Sequence, residues 1–288
     1  MILVAGATGT LGSHLVPRLV SRDERVRALV RAPAARVDRT VVDVVEGDIR
    51  DAAAVARAVD GADVVVCAVS GFGGRAGVDV RGVDGLGTRN LIEAAARAGV
   101  EHFIFVSVFG AAARHPLALQ REKHRSEEVL RASGVGWTIL RPAPSADTWV
   151  YLVGGRVPTG GKALVLGRGR NPVSFVAAED VASVVIDALA VGPCGSIVPV
   201  TGPEDVSLRG IVERIEHTLA RDVPVVGVPR IALRLQSALA RPFRPVRAQQ
   251  ARAALAMDTT DMRYRPPGAR VGRRRIDEVV GQQMLAAV

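Results

Sequence analysis

Val4-Ala5-Gly6-Ala7-Thr8-Gly9-Thr10-Leu11-Gly12 interrupts the first apolar run of the chain with three glycines, each three residues from the next. The run that enters it, Ile2–Ala5, predicts a strand, and the segment that leaves it, Leu11–Ser21, predicts a helix. Gly6 permits a tight turn, Gly9 lets backbone approach a pyrophosphate, and Gly12 lets the helix pack close on the strand. Free N–H groups at the helix N-terminus then face the phosphates, with Thr8, Thr10 and Leu11 completing the loop. This is the pattern of a nucleotide-binding strand–turn–helix.

Outward from this loop, short β-branched runs alternate with helix-period segments. Further strands are expected at Arg25–Val30, Val41–Glu46, Asp63–Ala68, His102–Ser107, Gly136–Leu140 and Ser196–Val200. The intervening helices are expected at Ala52–Val59, Gly85–Ala98 and Arg121–Ala132, with later ones at Glu179–Ala190, Ser207–Ala220 and Arg230–Arg241. Gly99 and Gly134 follow two of these helices and stand immediately before apolar strands, as C′ glycines do. Such alternation predicts an α/β fold: a Rossmann-type, doubly wound parallel sheet with helices on both faces. From Pro142 to Pro172 the pattern gives way to a stretch rich in Pro and Gly. Residues 1–141 are therefore read as the nucleotide-binding core. Residues 142–288 are read as a small C-terminal substrate lobe, interleaved with the last strand and helices of the core.

Composition excludes several classes of protein. With 288 residues, 48% hydrophobic and 23% charged, the chain is too apolar for disorder and long enough for a substantial core. Its two cysteines, Cys67 and Cys194, form no CxxC, and no histidine cluster accompanies them, so neither a redox motif nor a metal site is expected. The chain enters a strand at once, without the charged and apolar regions of a signal peptide. No uninterrupted apolar run reaches about 18 residues, and the expectation is a soluble, cytoplasmic protein. The net charge of +9 is unevenly placed. Residues 230–275 hold twelve Arg, no Lys and two acids, Asp258 and Asp261, so the rest of the chain is close to neutral. Lysine occurs only at Lys123 and Lys162.

The end of the second strand bears on which nucleotide is bound. An acid there would bond a ribose 2′-hydroxyl, whereas an arginine suits a 2′-phosphate. The sequence reads Ala28-Leu29-Val30-Arg31-Ala32, and Arg31 can grip phosphate with a guanidinium fork. NADP(H) is expected in preference to NAD(H). At the end of the third strand, Asp48 is placed to accept from the adenine amino group and Ile49 to pack on its ring, with turn capping as the other use of Asp48. Asp51 is the expected cap of the following helix. Ala68, Val69 and Ser70 end the fourth strand, where an open α/β sheet builds its crevice.

Together with these blocks, Asn90-Leu91-Ile92-Glu93-Ala94-Ala95, Gly99 to Ser107, Lys123 with Glu127, Ser133 to Pro142, Glu179-Asp180-Val181-Ala182 and Thr201-Gly202-Pro203-Glu204 resemble the NmrA-like group of atypical short-chain dehydrogenases/reductases. The resemblance covers about residues 1 to 220. It implies a Rossmann domain that binds NAD(P) with a smaller C-terminal lobe, and NADP(H) in the crevice. It also implies one of two activities, because the group contains both reductases, quinone reductases among them, and redox sensors that bind the dinucleotide without turnover.

Typical short-chain reductases use a Tyr-x-x-x-Lys pair, the lysine lowering the phenol's pKa so that it protonates the substrate oxygen. This chain departs from that pattern. Its tyrosines, Tyr151 and Tyr264, are followed four residues later by Gly155 and Gly268, and Leu119 stands four before Lys123. Lys123 falls where the resemblance puts the active-site lysine, as a cofactor-ribose or substrate contact; otherwise it is a solvated i,i+4 partner of Glu127. Ser107 matches the family's serine, followed by Val108 where many relatives place a second hydroxyl. Pro142 is expected beside the nicotinamide. His115 and His124 are secondary proton-donor candidates. Without a phenol acid, hydride transfer to a quinone, enone or related carbonyl small molecule is favoured, because an extended π system spreads the developing charge. The alternative is a non-catalytic dinucleotide sensor.

Within Arg230–Arg241, Ile231, Leu235, Ala238 and Leu239 share one face, with Arg230, Arg234 and Arg241 flanking it. This basic amphipathic helix fits a peripheral membrane surface or an acidic protein partner, or else a face packed on the core with a solvated arginine rim. No helix-turn-helix or zinc pattern accompanies it, so nucleic-acid binding is not expected. Oligomeric state is left open.

Overall fold

The computed structural model describes residues 1–31, 37–73, 79–240 and 245–285. Its central sheet orders eight strands as β3-β2-β1-β4-β5-β6-β9-β12. They are β1 (Ile2–Ala5), β2 (Val26–Val30), β3 (Asp43–Glu46), β4 (Val64–Cys67), β5 (His102–Val106), β6 (Trp137–Pro142), β9 (Ser196–Thr201) and β12 (Arg270–Val271). The pairings β1–β2, β1–β4, β2–β3, β4–β5, β5–β6 and β9–β12 are all parallel. The order reverses at β1: β2 lies on one side and β4 on the other, which is the switch point where such sheets open a crevice.

Chain order explains this topology, since parallel steps need a crossover connection, here a helix except between β2 and β3, where none lies among the described residues. These helices are α1 (Thr10–Val20), α2 (Ala52–Val59), α3 (Thr88–Ala98), α4 (Ala118–Ala132) and α6 (Ala178–Val191). Successive strand residues point to opposite faces, and neighbouring positions such as Leu3 and Val4, or Phe103 and Ile104, are all fully buried. Both faces of the sheet are therefore covered. One face packs Leu3, Val65, Cys67, Phe103, Phe105 and Ile139 against Val55, Val59, Leu91, Ile92 and Leu130 of α2, α3 and α4. α1 and α6 are joined by the Arg18 guanidinium, which donates to Ser183 Oγ at 2.8 Å.

The chain divides into two compact units. Unit 1 comprises Met1–Pro142 and Val181–Pro199, and unit 2 comprises Ala143–Asp180 and Val200–Val288. Unit 2 contributes α5 (Ala146–Gly154), β7 (Ala163–Leu166), β8 (Val173–Ser174), β10 (Asp205–Val206), α7 (Leu208–Leu219), β11 (Val225–Val228), α8 (Arg230–Leu239), α9 (Pro245–Thr259) and α10 (Ile276–Leu285). Within it β7 pairs in parallel with β11, and β8 pairs antiparallel with β10.

The predicted β1 and α2 are found at the same bounds, and the other predicted strands and helices are found with shifts of a few residues at their ends. The expected helix Gly85–Ala98 divides: Arg81–Gly87 winds as a wide π segment before α3 begins at Thr88. π segments are rare and concentrate at functional sites. Gly99 closes α3 with φ +71°. The basic helix α8 also departs from one expectation. It buries Leu233 and Ser237 and turns Ile231, Leu235 and Leu239 outward, so that its large apolar face is not packed. Arg241, at the expected end of this helix, lies outside the described residues.

Asp51 caps α2 as expected, accepting from the amides of Ala53 at 2.9 Å and Ala54 at 3.4 Å. Asp51→Ala is expected to cost about 1 kcal/mol of stability, read as a lower urea midpoint with an unchanged slope. An unchanged midpoint would remove the cap from the account.

Candidate functional site

The glycine loop joins β1 to α1 on the carboxyl side of the sheet. Gly6 has φ +99°, and a Cβ there would lie 2.7 Å from the carbonyl oxygen of Ala68 at the end of β4. A Cβ on Gly12 would lie 2.3 Å from the Gly6 oxygen and 2.4 Å from that of Ala7, so helix and turn approach as closely as backbone allows. Gly9 is exposed, and a Cβ there would meet only the Gly6 oxygen, at 3.2 Å. Its amide closes the turn onto the same oxygen at 3.0 Å. Gly9 is also the cap residue of α1, with no side-chain cap and no acid in the first turn. Thr8 and Thr10 flank it, exposed, with Leu11 half-buried beneath. The concave loop, the open helix end and the absence of local negative charge fit a dinucleotide diphosphate.

Arg31 stands exposed at the end of β2, close enough to Asp48 for its charge to help hold that carboxyl down. The larger cause is Arg50, whose side chain forks onto Asp48 at 2.9 and 2.8 Å while its amide donates at 2.8 Å. The Asp48 carboxylate is thus turned onto Arg50 in a local Asx turn. Ile49 is buried, against the position where a Cβ on Gly87 would come within 2.5 Å. The Asn90 side-chain amide ties this segment to α3 through the carbonyls of Ile49 and Arg50.

Lys123 sits inside unit 1, 2% exposed. Its ammonium donates to the carbonyls of Val69 and Val106, both at 2.9 Å, and lies 3.1 Å from Asp84 Oδ1. It also stands 4.8 Å from the centre of the Phe105 ring. Two of the ammonium's three protons go to these carbonyls, and its charge faces the Asp84 carboxylate as an ion pair. Lys123 is therefore neither solvated nor paired with Glu127. Asp84, in the π segment, is fully buried. Burial pushes its carboxyl up, with the Lys123 charge opposing that push. Its Oδ2 accepts from the Gly71 amide at 2.8 Å, and its carbonyl accepts from Ser126 Oγ at 2.8 Å. The pair fixes the strand ends at Val69 and Val106 and the turn at Gly71. Ala68 and Val69 are half-buried there, and Ser70 is exposed.

Ser107 belongs to a second buried group. Its hydroxyl donates to Glu127 Oε1 at 2.5 Å. Arg141, at the carboxyl end of β6, grips the same carboxylate through Nε at 3.0 Å and Nη2 at 2.5 Å. Glu127 is fully buried, and Arg141 supplies the fork that such a carboxylate requires. The next carbonyl, that of Pro142, accepts from the Phe109 amide at 2.8 Å. His115 Nδ1 accepts from the Leu117 amide at 3.1 Å, and burial lowers its pKa. The expected residues Gly6 to Gly12, Arg31, Asp48, Ile49, Ala68 to Ser70, Ser107, Lys123 and Pro142 all belong to unit 1. Asp84, which pairs with Lys123, lies in none of the motifs read from the sequence, and Arg141 lies in the Ser133 to Pro142 block, where nothing local shows its partner to be Glu127, the residue that holds Ser107.

This assembly of a parallel sheet switching direction at β1, a glycine turn and an open helix N-terminus is that of a dinucleotide-binding protein. The chain belongs to the NAD(P)H-binding family, whose model matches residues 6–191. It is 30% identical over 231 residues to an NAD(P)H azoreductase from Xenophilus azovorans, covering 79% of this chain and 77% of that one. It is 34% identical over 227 residues to a (4-alkanoyl-5-oxo-2,5-dihydrofuran-3-yl)methyl phosphate reductase from Streptomyces griseus, covering 77% and 74%. The fold matches that of an NADPH-dependent quinone oxidoreductase from Escherichia coli solved with NADPH, at a TM-score of 0.76 and 20% identity over 98% of this chain and 99% of that one. These relatives are reductases, and the neighbour is an oxidoreductase. No helix among the described residues is long and apolar enough to cross a membrane.

Two substitutions test the site's construction. Lys123→Met leaves a buried carboxylate unpaired and is expected to cost about 3–5 kcal/mol; Asp84→Asn added to it should recover part of that loss in urea unfolding. Equal stability of wild type and Lys123→Met would overturn the clamp. Gly12→Ala is expected to abolish calorimetric NADPH binding while the protein stays folded by circular dichroism.

Proposed function

We propose that this protein is an NADP(H)-dependent reductase that passes hydride to a small conjugated acceptor, a quinone, an enone or a related carbonyl compound. One observation carries the choice of acceptor: unit 1, which holds the glycine loop, Ser107 and Lys123, contains no tyrosine. The two groups that would otherwise handle a proton are also committed, Lys123 to two carbonyls and the Asp84 charge and Ser107 to Glu127. A simple ketone needs an acid as its oxygen gains charge, whereas a conjugated acceptor spreads that charge over its own π system. The names of the azoreductase and oxo-dihydrofuran reductase relatives accord with acceptors of this kind.

When bound, the dihydronicotinamide supplies the hydride. The protein's part is binding and orientation. The backbone amides of Thr10, Leu11 and Gly12, at the open end of α1, hold the diphosphate, and Arg31 takes the 2′-phosphate. Asp48 and Ile49 border the adenine, with Asp48 oriented by Arg50. Lys123 acts as a positioning residue, holding the Val69 and Val106 carbonyls so that Ala68, Val69 and Ser70 form a firm floor. Ser107, Glu127 and Arg141 hold the end of β6 and Pro142. Substrate selection falls to unit 2.

The same burial and pairing of Lys123 and Ser107 favours one other reading, a dinucleotide sensor without turnover. Calorimetry and an acceptor panel separate the two. NADPH is expected to bind more tightly than NADH, and Arg31→Ala to weaken NADPH about tenfold to a hundredfold while leaving NADH unchanged. Purified protein is expected to oxidise NADPH with quinones or enones and not with simple ketones. NADPH oxidation no faster than buffer across the panel would transfer the assignment to the sensor.

A further inference from the structure

Helix α8 is amphipathic the wrong way round for a helix in a packed protein. Leu233 and Ser237 are buried, and α9 is its main packing partner. Ile231, Leu235 and Leu239, spaced i, i+4 and i+8, are 69%, 55% and 70% exposed. On β11, the strand that leads into α8, Val225 and Val226 are also exposed. One stretch of fifteen residues thus presents five large apolar side chains to solvent. Apolar side chains gathered this way mark an interaction surface.

The charge around the ridge is of one sign. From Arg230 to Thr259 the only acid is Asp258, and it is buried. Arg230 Nε meets its carboxylate at 2.5 Å, and Arg168 Nε lies 3.7 Å from it. The guanidinium groups of Arg234 and Arg247 are exposed and make no hydrogen bond or ion pair among the described residues. At the start of α8, Gly167, Arg168, Pro229, Arg230, Ile231 and Arg234 line an open depression of about 500 Å³. Three of these six lining residues are arginines.

We propose that α8 and β11 form a docking surface for an anionic lipid bilayer. The ridge enters the boundary between headgroups and acyl chains, and the arginines meet lipid phosphates, with the depression receiving a headgroup. The shape argues for lipid, because three side chains standing proud of the surface along one helix need a medium that yields around them. The charge argues against a second copy of this chain, since two such faces would bring like charges together. Unit 2 as a whole carries 19 basic and 12 acidic residues, so attraction to an anionic bilayer also acts at longer range. This surface belongs to unit 2, and the residues proposed to hold the cofactor belong to unit 1.

The test is co-sedimentation of the full-length, NADPH-loaded protein with vesicles of phosphatidylcholine alone or mixed with phosphatidylglycerol. Adsorption is expected only to the mixed vesicles, and to fall as salt is raised. Leu235→Glu is expected to weaken it by about tenfold or more, and Arg234→Glu to weaken it several-fold. Val191→Glu, at an exposed position in unit 1, should leave it unchanged. NADPH affinity, measured on each variant, should stay at the wild-type value and shows that each is folded. Failure to adsorb at low salt, or equal adsorption of wild type and Leu235→Glu, would overturn the proposal. Retention on polyglutamate resin without vesicle adsorption would overturn it in favour of an acidic protein partner.

Discussion

The ammonium of Lys123 is the point on which unit 1 turns. The paired register of β4 and β5 ends at Cys67 and Phe105, and the carbonyls of Val69 and Val106 lie beyond it. In an open sheet such groups are met by water. Here a buried cation meets both, with Asp84 and the Phe105 ring supplying the remaining contacts. Desolvating that charge costs several kcal/mol, and only a full set of partners offsets it. Strand ends that would otherwise fray beside the crevice are tied together and to the π segment. The clamp explains why Asp84 must be buried, why Gly71 turns where it does and why Ser126 faces inward.

Much of this was legible in advance. β1, α2 and the glycine loop could be read because their signals are local: apolar run, turn residue, cap, helix period. Lys123 stood out because the chain uses lysine only twice. What it does there could not be read, since its partners come from three separate segments and two of them are backbone carbonyls. Glu127 misled in the same way. Its i,i+4 spacing suggested Lys123, but the carboxylate is taken by Arg141, which offers a planar fork from the neighbouring strand end. The elements of unit 2 were harder to see. β8, β10 and β12 are two residues long, too short to show alternation. α5 lies among prolines and glycines, and α9 lacks a clear apolar period.

Arginine serves opposite purposes in unit 2. Arg265 meets Asp205 at 2.9 Å, Arg275 meets Glu204 at 2.7 Å and Arg274 meets Glu179 at 2.5 Å, each pinning one segment to another. Exposed pairs of this kind contribute little stability one at a time. Their value is geometric, since they hold loops that have little apolar side chain to bury. Along α8 and α9, Arg234 and Arg247 have no acidic partner among the described residues, and their charge is left to act outward.

The route of the chain has a consequence for how the protein is made. It leaves unit 1 after Pro142, returns at Val181 and departs again after Pro199. Nearly all of α6, which covers one face of the sheet with α1, is therefore translated only after a section of unit 2. A ribosome that has released the first 142 residues has produced a sheet with one flank covered by α1 alone, a flank that includes Val4, Val66 and Ile104, in register on adjoining strands. Until α6 and β9 emerge, that flank is a natural target for chaperones, and a stop codon in this interval yields a fragment that cannot close its own core.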